Sequence, residues 1–68
     1  MTIELNGRTV ELSAGATVAD AVIEAGADGD SRGVAVAVDG EVIRRVDWRK
    51  TKLRSEQSVE VVRAVQGG

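Results

Sequence analysis

Only one stretch of this 68-residue chain carries a helical period, and the apolar residues on both sides of it alternate as they do in strands. Val18, Ala21, Val22 and Ala25 fall at i, i+3, i+4 and i+7, which gathers them on one face of an α-helix. Thr17 with Asp20 three residues on resembles a capping box, and Gly26 stands where a helix stops. Before the helix, Thr2 to Asn6 alternates with Ile3 and Leu5 on one side. Asn6-Gly7 then makes a two-residue hairpin turn, and Arg8 to Leu12 alternates again with Val10 and Leu12. After the helix comes a polar, glycine-containing loop from Ala27 to Arg32. Val34, Val36 and Val38 follow as a β-branched run closed by Asp39-Gly40. Glu41 to Arg44 can pair back as a short fourth strand, Asp47 to Lys52 reads as an irregular or single-turn connection, and Ser58 to Val65 is the last strand. Val59, Val61 and Val65 share one of its faces.

One helix among segregated strands predicts an α+β domain, in which a mixed sheet of four to five strands packs on the helix in the ubiquitin-like β-grasp order. The helix face of Val18, Val22 and Ala25 then meets Ile3, Leu5, Val10, Leu12, Val36, Val59 and Val61. Trp48, the one aromatic residue, is expected to lie half-buried over an edge of this small core. A chain this short builds one core, and it contains neither cysteine nor histidine, so packing alone must hold it. At ordinary densities of stability that amounts to about 3 to 10 kcal/mol. The expected division is a domain over residues 1–65 and a flexible tail over residues 66–68.

The same absences narrow the function. Thiol chemistry and histidine acid–base chemistry are excluded, and no Gly-x-x-x-x-Gly-Lys-Ser/Thr phosphate loop occurs. Glu24 and Asp28 are spaced i, i+4 near the helix end, but without a pocket they form a solvated pair, not an acid/base couple. The opening residues Met1-Thr2-Ile3-Glu4 carry no signal-peptide pattern, and no apolar run has transmembrane length, so a cytoplasmic location is expected. Net charge is −2, yet Arg44, Arg45, Arg49, Lys50, Lys52 and Arg54 place six of the nine cations between residues 44 and 54. A solvated polar connection is the plainer reading of that cluster, and a docking patch for an acidic partner is the functional one. Nucleic-acid binding lacks interleaved aromatics for stacking.

Two features remain for function. On the last strand Glu60, Val62, Ala64 and Gln66 point away from the helix, beside Ala35 and Ala37 of the third strand. A flat face of small apolar side chains without a helical cover suits partner docking, although isolated exposed Val and Ala need no explanation. Val62, Ala64, Ala35 and Ala37 are therefore the candidate partner-binding residues. The strand leads into Val65-Gln66-Gly67-Gly68. Two glycines close a random chain only about once in 200, and a frayed end or an appended remnant explains them as well as function does. The functional explanation is chemical. A carboxylate that must enter another protein's active site needs a slim tether, and glycine has no Cβ to obstruct it. Ionised and unreactive at carbon, that carboxylate must first be activated, most simply by adenylation, and the ATP site would have to be the partner's.

The sequence resembles the ThiS-like sulfur carriers of thiamine biosynthesis, a ubiquitin-like β-grasp family, across essentially its whole length. The resemblance is carried by Gly15-Ala16-Thr17-Val18-Ala19-Asp20, Val36-Ala37-Val38-Asp39-Gly40-Glu41-Val42, Arg45-Val46-Asp47-Trp48, and Val59-Glu60-Val61-Val62 through Ala64-Val65-Gln66-Gly67-Gly68. The sequence departs from the family where Pro often stands at Arg44 and where an Asp-Gly turn often falls near Glu56-Gln57. The resemblance implies that the chain has no catalytic residues of its own and binds no cofactor or metal. An E1-like adenylyltransferase (ThiF-type) using Mg-ATP would convert the Gly68 carboxylate to an acyl adenylate. A persulfide sulfur donor would then yield a Gly68 thiocarboxylate for a thiazole synthase (ThiG-type). Gly67 would give reach, and Gln66 with Val65 would set how the tail enters. The tail is shared with the small subunits of molybdopterin synthase and with ubiquitin-like modifiers that form isopeptides on lysines, which stand as the alternatives beside a plain interaction module.

Overall fold

Tight turns at both hairpins set the strand pairing. In the computed structural model, which describes residues 1–27 and 33–63, Asn6 and Gly7 have φ of 51° and 82°, and Asp39 and Gly40 have 50° and 85°. Two consecutive left-handed residues twist with the flanking strands, so each turn reverses the chain without splaying it. The first joins β1 (Thr2–Leu5) to β2 (Arg8–Glu11), and the second joins β3 (Val34–Val38) to β4 (Glu41–Ile43). The last strand, β5 (Ser58–Arg63), lies between the two hairpins, giving one five-stranded sheet in the order β2-β1-β5-β3-β4. β5 runs parallel to β1 and antiparallel to β3, so the sheet is mixed as the sequence predicts.

The helix α1 (Val18–Glu24) buries Val18, Ala21 and Val22 against one face of this sheet. At its start the Asp20 carboxylate accepts the Thr17 backbone N–H at 2.8 Å and the Thr17 hydroxyl at 3.2 Å, which is the reach-back arm of a capping box. At its end Gly26, φ 80°, donates to the carbonyl of Ile23 while Ala27 donates to that of Val22. These two bonds satisfy carbonyls the helix leaves open, and the left-handed residue between them favours glycine.

The core contains Ile3, Leu5, Val18, Ala21, Val22, Ala27, Val36, Val38, Trp48, Leu53 and Val59, with Val10, Leu12, Ala25, Ile43 and Val61 half-buried against it. Ala27, read as the start of a polar loop, and Val38 join the core, and two residues of the connection after β4 differ further from the sequence reading. Trp48 is 6% exposed and not half-buried, because a single 3-10 turn over Arg45–Asp47 rolls the indole inward, where Nε1 donates to the Ile43 carbonyl at 3.0 Å. Leu53, absent from the expected core, is 4% exposed. The segment between them closes the open end of the helix. The N–H groups of Val18 and Ala19 donate to the carbonyls of Thr51 and Trp48, and the Leu53 N–H donates to Ala16. Donors that no intrahelical carbonyl can reach are satisfied by this connection, which ties it to the core. β2 ends at Glu11, one residue earlier than its alternation predicts, and β5 is described to Arg63, so Val65 and the boundary at residues 65 and 66 lie outside the described residues.

Candidate docking face and tail

β5 is the third strand of five, so Arg63, at its end, lies at the middle of the sheet and not at an edge. Its two faces differ sharply. Val59 is fully buried and Val61 half-buried toward the helix, while Glu60 and Val62 face the other way and are exposed. The register puts Val62 opposite Ala35, Glu60 opposite Ala37, and Ala37 opposite Val42. Because opposed residues share a face, Val62, Ala35, Ala37 and Val42 form one uncovered strip across β5, β3 and β4, with exposed Glu60 on its β5 side opposite Ala37. Val62 is 60% exposed and Val42 71%, Ala35 is exposed and Ala37 half-buried.

Three of the four candidate docking residues are thus brought together as the sequence predicts. Ala64, with Gln66, Gly67 and Gly68, lies outside the described residues. Val42 was missed. The signal was present in the alternation Glu41-Val42-Ile43, since Ile43 pairs with Val36 toward the helix and Val42 must therefore face outward.

The other half of this sheet face is polar. Thr2 and Glu4 on β1 stand opposite Glu11 and Thr9 on β2, and the Thr2 hydroxyl donates to the Glu11 carboxylate at 2.8 Å. That bond, with the nearby Met1 ammonium, holds the Glu11 carboxyl below its ordinary range. An apolar strip bordered by carboxylates on one side has the layout of a docking patch with a polar rim.

The polar residues around β5 hold the strand in place. Asn6 accepts the Val61 N–H on Oδ1 at 2.8 Å, and its Nδ2 donates to the Val61 carbonyl at 3.3 Å. Asp39 accepts the Ser58 N–H at 2.9 Å and the Gln57 amide at 3.1 Å, and Gln57 in turn accepts the Arg54 N–H at 2.7 Å. β5 is thereby fastened at its start by the β3–β4 turn and at its middle by the β1–β2 turn. Among the described residues no group of three or more metal-binding side chains occurs, and no helix is long and apolar enough to cross a membrane.

The family model for the ThiS family matches residues 2–68. No curated protein matches the sequence well enough to count as a relative. Among solved structures, the crystal structure of the thiamine biosynthesis protein ThiS from Geobacter metallireducens superposes with a TM-score of 0.77 at 23% identity, over 100% of both chains. The NMR solution structure of a thiamine biosynthesis protein from Geobacter metallireducens superposes with a TM-score of 0.76 at 26% identity, over 100% of this chain and 88% of that one. A match that runs through every strand, the helix and the Gly-Gly end places the chain in the ThiS family, the small ubiquitin-like β-grasp sulfur carriers of thiamine biosynthesis.

Proposed function

We propose that this protein carries sulfur as a thiocarboxylate on Gly68 and delivers it to the forming thiazole ring of thiamine. The observation that carries the reading is the extent of the family match, which continues past β5 to residue 68 and so includes both glycines. The chain is then a substrate for two enzymes and performs no step by itself. An E1-like adenylyltransferase supplies Mg-ATP, the Gly68 carboxylate attacks the α-phosphorus, and pyrophosphate leaves. The terminal sulfur of a persulfide then attacks the acyl carbon and AMP departs with one carboxylate oxygen. A second thiol reduces the resulting acyl disulfide, which frees the thiocarboxylate for a thiazole synthase.

Each part of the chain has a physical role in this cycle. The strip of Val62, Ala35, Ala37 and Val42 gives either enzyme a flat surface on which to seat the domain. β5 sets the origin of the tail, and residues 66–68 span the distance from the docked domain to the reacting atoms. Gly67 and Gly68 keep that span narrow, so the carboxylate can pass through a channel that side chains would block. A thiocarboxylate on such a tether can visit two active sites in turn without being released into solvent.

Intact-mass measurement of the protein expressed with its own adenylyltransferase and sulfur donor tests the reading. The expected result is a mass gain equal to exchanging one oxygen for one sulfur, located by fragmentation at Gly68 and abolished when Gly68 is deleted or the chain is extended beyond it. Thiazole formation that survives either change, or higher-mass conjugates on lysines in place of the exchange, would overturn it.

A further inference from the structure

Residues 44–54 hold six cations against Asp47 alone, a local charge of +5, whereas the three cations and ten carboxylates elsewhere sum to −7. The fold concentrates this segregation further. Trp48 is buried and Asp47 half-buried, its carbonyl accepting the N–H groups of Lys50 and Thr51 at 3.0 Å and the Thr51 hydroxyl at 2.8 Å. Arg45, Val46, Arg49 and Lys50 are left on the outside of the turn, all exposed. In a 3-10 turn residues three apart share a side, so Val46 stands next to Arg49, with Arg45 beside it in sequence and Lys50 one position beyond. Val46 is 65% exposed.

From this arrangement we infer that the Arg45–Lys50 turn is a second docking element, which places Val46 in an apolar pocket rimmed by carboxylates on a protein partner. The chemistry selects among polyanions. A phosphate backbone gains nothing from a branched aliphatic side chain at the centre of the patch, and the indole that could stack on a base is buried. The −7 charge on the rest of the chain repels an extended polyanion, and a single valine is too little apolar area to hold a membrane surface. A compact acidic protein surface meets none of these objections. A buried aliphatic anchor ringed by ion pairs that exclude water is also the layout that concentrates binding energy at interfaces.

The element is preorganised and adjoins the sheet-face strip. The buried indole and its 3.0 Å bond to Ile43 fix the turn before any partner arrives, which removes part of the ordering cost of binding. Val42, at the β4 end of the strip, is separated from Arg45 by Ile43 and Arg44 only, so a partner seated on the strip can continue around the β4 edge onto the turn. The identity of that partner rests on the carrier reading, under which the adenylyltransferase is the first protein to engage the tail.

Stopped-flow association of the full chain with the adenylyltransferase of the same organism, from low salt to about 0.5 M, tests the proposal. ATP–pyrophosphate exchange is followed alongside it. The triple variant Arg45→Glu/Arg49→Glu/Lys50→Glu should associate about 10- to 100-fold more slowly at low salt and lose the salt dependence of the wild type. Val46→Asp should raise the dissociation rate with little change in association. All four side chains are exposed, so thermal melts confirm that each variant folds. Exchange activity with association rates unaltered by the triple reversal would overturn the docking element and leave the carrier reading standing. No exchange with the wild type would sink the carrier reading and this partner with it. Binding of polyuridylate or phosphatidylserine vesicles by the wild type, lost in the triple variant, would overturn the choice of a protein surface.

Discussion

Asn6 is a turn residue whose side chain does the work of a strand. β1 pairs with β5 only through Glu4 opposite Ser58 and Leu5 opposite Val59, after which the chain turns away at φ 51°. The Asn6 amide continues that pairing by taking both polar groups of Val61, the N–H at 2.8 Å and the carbonyl at 3.3 Å. Replacing Asn6 with glycine keeps the positive φ and removes these bonds, while the strain it relieves and the chain entropy it adds roughly cancel. The shorter bond is worth about 1 kcal/mol, and the longer adds little. Water can reach half-buried Val61, so the expected loss is about 1 to 1.5 kcal/mol. Alanine keeps a Cβ at φ 51° but loses the local polar contacts that let asparagine tolerate the left-handed region, about 1 kcal/mol more, for a total of about 2 to 2.5 kcal/mol. Aspartate keeps the acceptor for the N–H and should cost least. In urea, with a slope near 1 kcal/mol/M for a domain this small, the midpoint should fall by roughly 1 M for Asn6→Gly and roughly 2 M for Asn6→Ala. Hydrogen exchange should show the Val61 amide losing protection ahead of its neighbours on the β3 side. An Asn6→Gly midpoint equal to wild type, with Val61 still protected, would refute the argument that this side chain extends the β1–β5 ladder.

Other perturbations address other parts of the molecule. Val62→Asp should leave the fold intact, since the side chain is 60% exposed, and weaken binding to the adenylyltransferase by tenfold or more. Equal binding by calorimetry would remove the sheet-face strip from the account. Trp48→Phe should cost about 2 to 3 kcal/mol in urea denaturation, because it leaves a gap in the core and strips the Ile43 carbonyl of its donor. A loss below about 1 kcal/mol would mean the indole is not the anchor of the 45–51 turn. Glu56 has φ 72°, and its N–H bonds to Thr2 at 2.7 Å in any side-chain context. Glu56→Gly should therefore relieve strain and, after the entropy of glycine is counted, raise the melting temperature by about 2 to 4 °C. An unchanged or lower melting temperature would show that the turn carries no strain.

Much of this architecture was legible in the sequence because it is local. The period of Val18, Ala21 and Val22 specifies the helix face, Asn6-Gly7 and Asp39-Gly40 specify the hairpins, and period-2 alternation assigns Val62, Ala35 and Ala37 to the uncovered face. The Gly-Gly ending and the resemblance to a carrier family are likewise properties of the sequence alone. Segments without a period were different. Between Arg44 and Gln57 no repeat indicates which residue turns inward, and the burial of Trp48 and Leu53 follows from what they meet: the Ile43 carbonyl and the open N-terminal end of the helix. The links from Asn6 to Val61, 55 residues apart, and from Asp39 to Ser58 join turn residues that the sequence explains fully by their backbone angles, which leaves no sign of a second role for their side chains. Local patterns determined which elements form and which faces they bury. Only the assembled sheet decided that β5 would be central and that the turns would hold it, because each of these depends on groups brought together from distant parts of the chain.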